Sequence, residues 1–293
     1  TMIVKKHAKN IHEIQMDGKQ VKIAMLSDIH WDNPKCDWKL LKRDLDYCKE
    51  NNIPIMINGD ILCLMQGRGD RRGNKSDIRP EHNNAKYLDS IVETAVEWWS
   101  PYAHLLTVIG YGNHETAIIK YQETDILQRF VDLLNYKNGT NVYAGGYGGW
   151  IVIRQTFDTN VVSTFRIKYF HGSGGGGVVT KGALNLTRAL EMYEDFDVFT
   201  MGHIHENAAR NDVRDTITSH AKTGYRHNHK QIHMMLTGTY KEEYGDGSKG
   251  WHVERGAPVK PTGGRILVFE SERLERDGVK KVYKNIDSMK FPL

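Results

Sequence analysis

Five short blocks of the 293-residue chain put Asp, Asn or His straight after an apolar run: IAMLSDIH (23–30), IMINGD (55–60), VIGYGNHE (108–115), KYFHG (168–172) and VFTMGHIH (198–205). Together they supply two carboxylates, Asp28 and Asp60, the amide of Asn113, and the imidazoles of His30, His114, His171, His203 and His205. Such a mixture of oxygen and nitrogen donors suits borderline divalent cations such as manganese, iron or zinc. No thiolate belongs to the set, which excludes a structural cysteine zinc site. The blocks also stand tens of positions apart, unlike the ligands of a zinc finger. Only a crevice assembled by the tertiary fold brings them together. Each block alone is ordinary, because Asp or Asn at a strand end commonly caps a turn or helix. All five following strands in a consistent order point to a metal site.

The elements that must position these residues follow from the hydrophobic spacing. VKIAML (21–26) and IPIMI (53–57) read as strands on either side of the helical pattern DWKLLKRDLDYCKENN (37–52). This β-α-β rhythm continues with a helix from about Asn84 to Trp99, a strand over 105–110 and a helix near Thr124 to Tyr136. The second half is richer in strands: GWIVIRQTF, STFRIKYF, DVFTM, QIHMML and GRILVF, with one helix at about 182–194. Parallel strands in such sheets present their carboxyl ends to a common crevice, where ligands bind. The spacing therefore predicts an α/β protein with two packed sheets and a site at one edge.

In order, DIH (28–30), GD (59–60), GNHE (112–115), HG (171–172) and GHIH (202–205) resemble the five signature blocks of the calcineurin-like metallophosphoesterases, over about Val21 to His205. The resemblance implies a four-layer α/β/β/α sandwich of two mixed sheets flanked by helices, with metals at the strand ends. It implies two divalent ions, manganese first and iron or zinc as alternatives. Asp28, His30 and His205 would hold one, Asn113, His171 and His203 the other, and Asp60 would bridge them. It also implies a metal-bridging hydroxide as nucleophile, with Asn113 and His114 beside the substrate and His114 as general acid. Two dications, two carboxylates and a hydroxide leave a net charge of roughly +1, which attracts a phosphate.

The expected function is hydrolysis of a phosphoester. The segment QGRGDRRGNKSDIRPEHNN (66–84) follows Asp60 and carries Arg68, Arg71 and Arg72, which either grip further phosphates of a nucleic acid or nucleotide or belong to a solvated insertion. A phosphodiesterase or nuclease is therefore the first expectation and a phosphomonoesterase the alternative. A protein phosphatase fits less well, because ILCL follows Asp60 and TAII follows Glu115 where that group carries R-G-rich signatures. From another class, the same fold could serve as a scaffold that binds other subunits.

Weaker signals belong to structure in this reading. Gly172, Gly174 and Gly177 have G-x-G-x-x-G spacing, but VVTK (178–181) separates them from the next helix, and Val178 stands where a P-loop needs lysine. His227 and His229, in GYRHNHK (224–230), are expected to be surface residues, and Trp31, Tyr111 and one of the pair Trp98 and Trp99 to pack in the core. The composition, 39% hydrophobic and 26% charged, is ordinary for a globular chain, and the net charge of +4 does not mark a nucleic-acid binder. No Pro/Ser-rich linker or repeat divides the chain, so one domain over 1–293 is expected, with insertions at about 64–84 and 207–230. Cys36, Cys48 and Cys63 form no C-x-x-C pair, which suggests free thiols and a cytoplasmic protein. No apolar run is long enough for a membrane span, and the N-terminal residues lack the apolar core of a signal peptide.

Overall fold

The structure is a computed structural model that describes residues 2–65, 73–159, 161–175, 177–220, 224–245, 247–248, 251–254, 256–276 and 279–292. The first half holds β1 (Ile3–Ala8), β2 (Ile11–Asp17), β3 (Gln20–Leu26), α1 (Trp38–Glu50), β4 (Ile55–Ile57), α2 (Tyr87–Trp99), β5 (Leu106–Ile109), α3 (Asn113–Gln122), α4 (Ile126–Asn138) and β6 (Tyr143–Ala144). The second half holds β7 (Gly148–Phe157), β8 (Val161–Phe170), α5 (Ala183–Met192), β9 (Val198–Met201), β10 (Ala208–His220), β11 (Gly224–Leu236), α6 (Trp251–Glu254), β12 (Arg265–Arg276) and β13 (Val279–Lys290).

Side-chain alternation explains why the strands stack into layers. On β3, Val21, Ile23 and Met25 point to one face while Ala24 and Leu26 point to the other, and every one of them is buried. The first set meets Ile151, Ile153, Phe165, Ile167 and Val198 in the core between the two sheets. The second set meets Leu41 and Leu45 of α1, Ile91 of α2 and Phe130 of α4. A third cluster seats Leu186 and Ala189 of α5 against Phe199, Met201 and Met234 on the far face. The result is the expected four layers, helix, sheet, sheet, helix. Each fully buried aliphatic side chain contributes about 1.5–3 kcal/mol.

Both sheets are mixed. One runs β1-β2-β7-β8-β9-β11-β10 and the other β13-β12-β3-β4-β5-β6. Within them β3, β4 and β5 are parallel neighbours, as are β8, β9 and β11. Helices end where sequence chemistry stops them: the Asp37 carboxylate caps α1 by accepting from the Leu40 N–H at 3.0 Å, and Gly139 closes α4 at φ 63°. The expected helix from Asn84 begins at Tyr87.

Four features were not expected from spacing. A β1–β2 hairpin precedes β3, and β13 pairs along β12. Helix α3 shows little apolar periodicity, with only Glu115 and Ile118 of its residues buried. Most of the stretch expected as an insertion at 207–230 lies in β10 and β11, a regular antiparallel hairpin that extends the seven-stranded sheet. All three cysteines are free and buried, and no described helix is long and apolar enough to cross a membrane.

Candidate metal centre

Asp28 follows β3, Asp60 follows β4, and Asn113 follows β5 at the start of α3. His171 follows β8, and His203 and His205 follow β9. Because these strands are parallel within each sheet, their carboxyl ends open at one edge of the sandwich. Asn58 joins the sheets there: its side-chain amide donates to the Phe170 carbonyl at 3.0 Å, and its own carbonyl accepts from His171 Nδ1 at 2.7 Å.

Two trios result. Asp28, His30 and His205 offer one ligand atom each within 4.8 Å of one another, and Asp60, His171 and His203 do the same. Asn113 stands at the second trio, its Oδ1 3.2 Å from His171 Nε2 and 2.8 Å from His203 Nδ1. Asp60 Oδ2 lies 3.2 Å from His171 Nε2, while its Oδ1 accepts from the His114 backbone N–H at 2.9 Å. Asp28 Oδ2 accepts from Ser27 Oγ at 2.6 Å and from the His203 N–H at 2.8 Å. All seven residues expected as ligands are thus brought together, with His114 against them, its ring 4.8 Å from that of His30.

The backbone at this edge is strained in one consistent way. Asp28, His30, Asp60, His203 and His205 all take left-handed conformations, with φ of 49°, 50°, 51°, 66° and 57°. For a non-glycine residue each costs about 1 kcal/mol or more and persists only where the surroundings enforce it. The enforcing bonds are visible: the Asp28 N–H donates to the Gly59 carbonyl, the His30 N–H to Asp60, and the Tyr240 N–H to Asp28. Glycines give these loops room. A Cβ on Gly112 would lie 2.0 Å from Asp60 Oδ1, one on Gly59 2.5 Å from His171 Nδ1, and one on Gly202 2.5 Å from Asp28 Oδ2.

The donor set fits a pair of dications. Both ring nitrogens of His30 are buried with no hydrogen-bond partner among the described residues, and so is Asp28 Oδ1, which lies 3.3 Å from His205 Nε2 without hydrogen-bond alignment. Unsatisfied buried groups cost about 1–3 kcal/mol each, so such a cluster calls for a ligand. Charge points the same way. Burial, with the charges of His114 and Lys241, holds His30 well below the usual histidine range, so it stays neutral and able to ligate. Burial pushes Asp60 up, but His171 and His114 outweigh it and carry the carboxyl well below its usual range. Burial pulls His171 down, yet Asp60 raises it to about 10. A dication against this pair would take the place of the shared proton, so metal uptake and proton release are linked. The Nδ1 bond from His171 to Asn58 aims its Nε2 at the centre, as an outer partner of a ligating histidine does.

Glu115 went unassigned from sequence, although its place three residues past Gly112 is a helix-start signal. Its buried carboxylate accepts from the N–H groups of Gly112 at 2.8 Å, Leu62 at 3.0 Å and Asp60 at 3.1 Å, clipping two ligand loops together. Burial first and the Asp60 charge second raise it to about 8. Also unassigned were residues 241–244 and 258–260, which line a shallow groove beside His205 and bring Lys241 and Lys260, paired with Glu243 and Glu206.

Arg68, Arg71 and Arg72 lie outside the described residues. Arg79, from the same stretch, packs its guanidinium over Trp31 and Trp38 at 5.1 and 4.6 Å and pairs with Glu81. Trp31 is buried and the Tyr111 hydroxyl donates to Asp125 at 2.8 Å, so both serve packing. Helix α5 begins only at Ala183, well after Gly177.

No family model matches the chain, and no curated protein matches it. Among solved structures it is similar to Vacuolar Protein Sorting 29 from Cryptosporidium parvum, at 12% identity over 92% of this chain and 99% of that one, with a TM-score of 0.35. It is also similar to GAP50, the anchor in the inner membrane complex of Plasmodium, at 11% identity over 85% of this chain and 81% of that one, with a TM-score of 0.43. Likenesses this distant say nothing of activity, and the chemistry of the centre stands on its own residues. What fold and site define is a two-sheet α/β protein with paired His/Asp clusters able to bind metal.

Proposed function

We propose that the chain is a metal-dependent phosphoester hydrolase with a dinuclear centre, acting on phosphodiesters of nucleic acid or nucleotides. One observation carries this reading: two His/Asp trios meet at the carboxyl edge of two sheets, with the His30 nitrogens and Asp28 Oδ1 buried and without a hydrogen-bond partner among the described residues. Two divalent ions, manganese by preference, would when bound draw in phosphoryl oxygens and lower the pKa of a water nucleophile. Asp28, His30 and His205 would hold one and Asn113, His171 and His203 the other, with Asp60 between them.

The chain's own residues supply the rest. His114 Nδ1 donates to the Cys63 carbonyl at 2.5 Å, which orients the ring and leaves proton exchange to Nε2. That suits it to protonate a leaving oxygen. Its backbone N–H is bonded to Asp60, so acid and ligand move as one unit. The arginines of 66–72, next along the chain from the Asp60 loop, support a substrate with more than one phosphate.

The test is a manganese-supplemented panel of single-stranded DNA, duplex DNA, RNA, cyclic nucleotides, and bis- and mono-nitrophenyl phosphate. Turnover of diesters over monoesters is expected. Absence of both bound metal and turnover overturns the hydrolase reading, and monoester preference overturns the diester one. His114→Ala should lose about 10²–10⁴-fold on poor leaving groups and far less on good ones. Equal loss on both removes His114 as the acid.

A further inference from the structure

The hairpin of β10 and β11 carries a third Asp/His cluster, apart from the cleft. His227 and His229 are two residues apart on β11, so strand alternation puts both imidazoles on one face. Asp215 is paired directly opposite His229 on β10, and opposite residues of an antiparallel ladder share a face with Cβ atoms about 5 Å apart. The imidazole rings stand 4.9 Å apart at 78°, and the Asp215 carboxylate pairs with His227 Nε2. One ligand atom from each residue lies within 4.8 Å of the other two.

We propose that Asp215, His227 and His229 form a mononuclear site for a zinc-type divalent ion. Two imidazoles and one carboxylate suit zinc, copper or nickel, whereas magnesium and calcium take oxygen donors. Three protein ligands are what a tetrahedral ion needs while keeping one position open to water or to a donor from another molecule. Strand alternation also favours a cation here. The same face carries Val213, Ile217, Tyr225 and Gln231, whereas Arg214, Arg226 and Lys230 alternate to the opposite one. As a purely structural device the Asp215–His227 pair would do little, because both side chains are exposed and such pairs contribute about 0–1 kcal/mol. Its chelating geometry is the feature that stability leaves unexplained.

The site uses no residue of the five blocks, so it stands or falls separately from the dinuclear centre. Zinc chloride titrated into the full chain labelled with ¹⁵N-histidine resolves the two. Imidazole signals of His227 and His229 are identified with His227→Gln and His229→Gln. Both are expected to shift together and to saturate as a single event, with magnesium leaving them in place. Loss of outer partners alone weakens metal sites by about 10–100-fold, so Asp215→Asn should weaken saturation by at least that order. Circular dichroism of each variant checks that the fold is kept. Movement of only one imidazole, shifts that never saturate, or unchanged affinity in both Asp215→Asn and His229→Gln overturns the proposal. Failure of the central cleft to take metal would appear in the His171 and His203 signals instead.

Discussion

The cleft and the β10–β11 hairpin both gather aspartate and histidine, by opposite physical routes. In the cleft the ligands come from five strands of two sheets, lie largely buried, and sit on backbone driven into left-handed conformations. In the hairpin they come from two neighbouring strands in unbroken register, and all three are exposed. The first arrangement needs the whole fold to enforce strain, while the second needs only strand alternation. A site of the first kind is rigid and loses function when any supporting loop shifts. A site of the second kind is insensitive to the rest of the molecule.

The strongest way to break that contrast is Gly112→Ala. Its Cβ would meet Asp60 Oδ1 at 2.0 Å and Asp60 N at 2.4 Å, both held by a buried network. Loss of metal at the second trio and of nearly all activity is expected, read by metal analysis of the purified chain. Retention of two metals per chain would show that the loops yield. Next in size is Glu115→Gln, which turns an acceptor of three buried N–H bonds into a group with one acceptor oxygen. About 1–3 kcal/mol of stability should be lost, measured by urea unfolding above pH 8, where the Glu115 carboxyl is ionised. An unchanged midpoint would remove Glu115 as the clip.

β11 itself allows a sharper test, because His233 lies on the same strand face as His227 and His229 but at the root of the hairpin, fully enclosed. Its Nδ1 bonds Asn211 at 2.6 Å and its Nε2 bonds Ser288 at 2.8 Å, and burial lowers it to about 4. Its pKa is below that of the unfolded chain, so between pH 6.5 and 4 only the unfolded state takes the proton. Stability is therefore full above pH 6.5 and falls as pH drops toward 4, by up to about 3 kcal/mol. His12, also buried and lowered to about 4, acts in the same sense. Unfolding midpoints across this window should fall, and His233→Gln should flatten the slope. An unaltered slope assigns the acid sensitivity elsewhere. The smallest effect belongs to the exposed pair: replacing His227 and His229 with Gln, without added metal, should change stability by no more than about 0.5 kcal/mol. A larger loss would mean that the hairpin is tied to the body through these side chains.

What sequence alone determined was the inventory and its place. Asp28, Asp60, Asn113, His171, His203 and His205 each follow an apolar strand, and strand periodicity is local, so it survives in a one-dimensional reading. The layering was legible for the same reason, as was α1, whose apolar positions recur at helical spacing. Helix α3 was not legible, because it is held by Glu115 and the loops around it more than by an apolar stripe. Glu115 itself and the glycines that clear space for the ligands act between segments about 50 residues apart or more, and no spacing rule connects such positions. Only the tertiary structure decided which histidine faces which carboxylate, because that depends on strand order across two sheets. It alone put Asp215 opposite His229, because register depends on where the hairpin turns. Donor type is a property of the residue, but a metal site is a property of distances, and those belong to the fold.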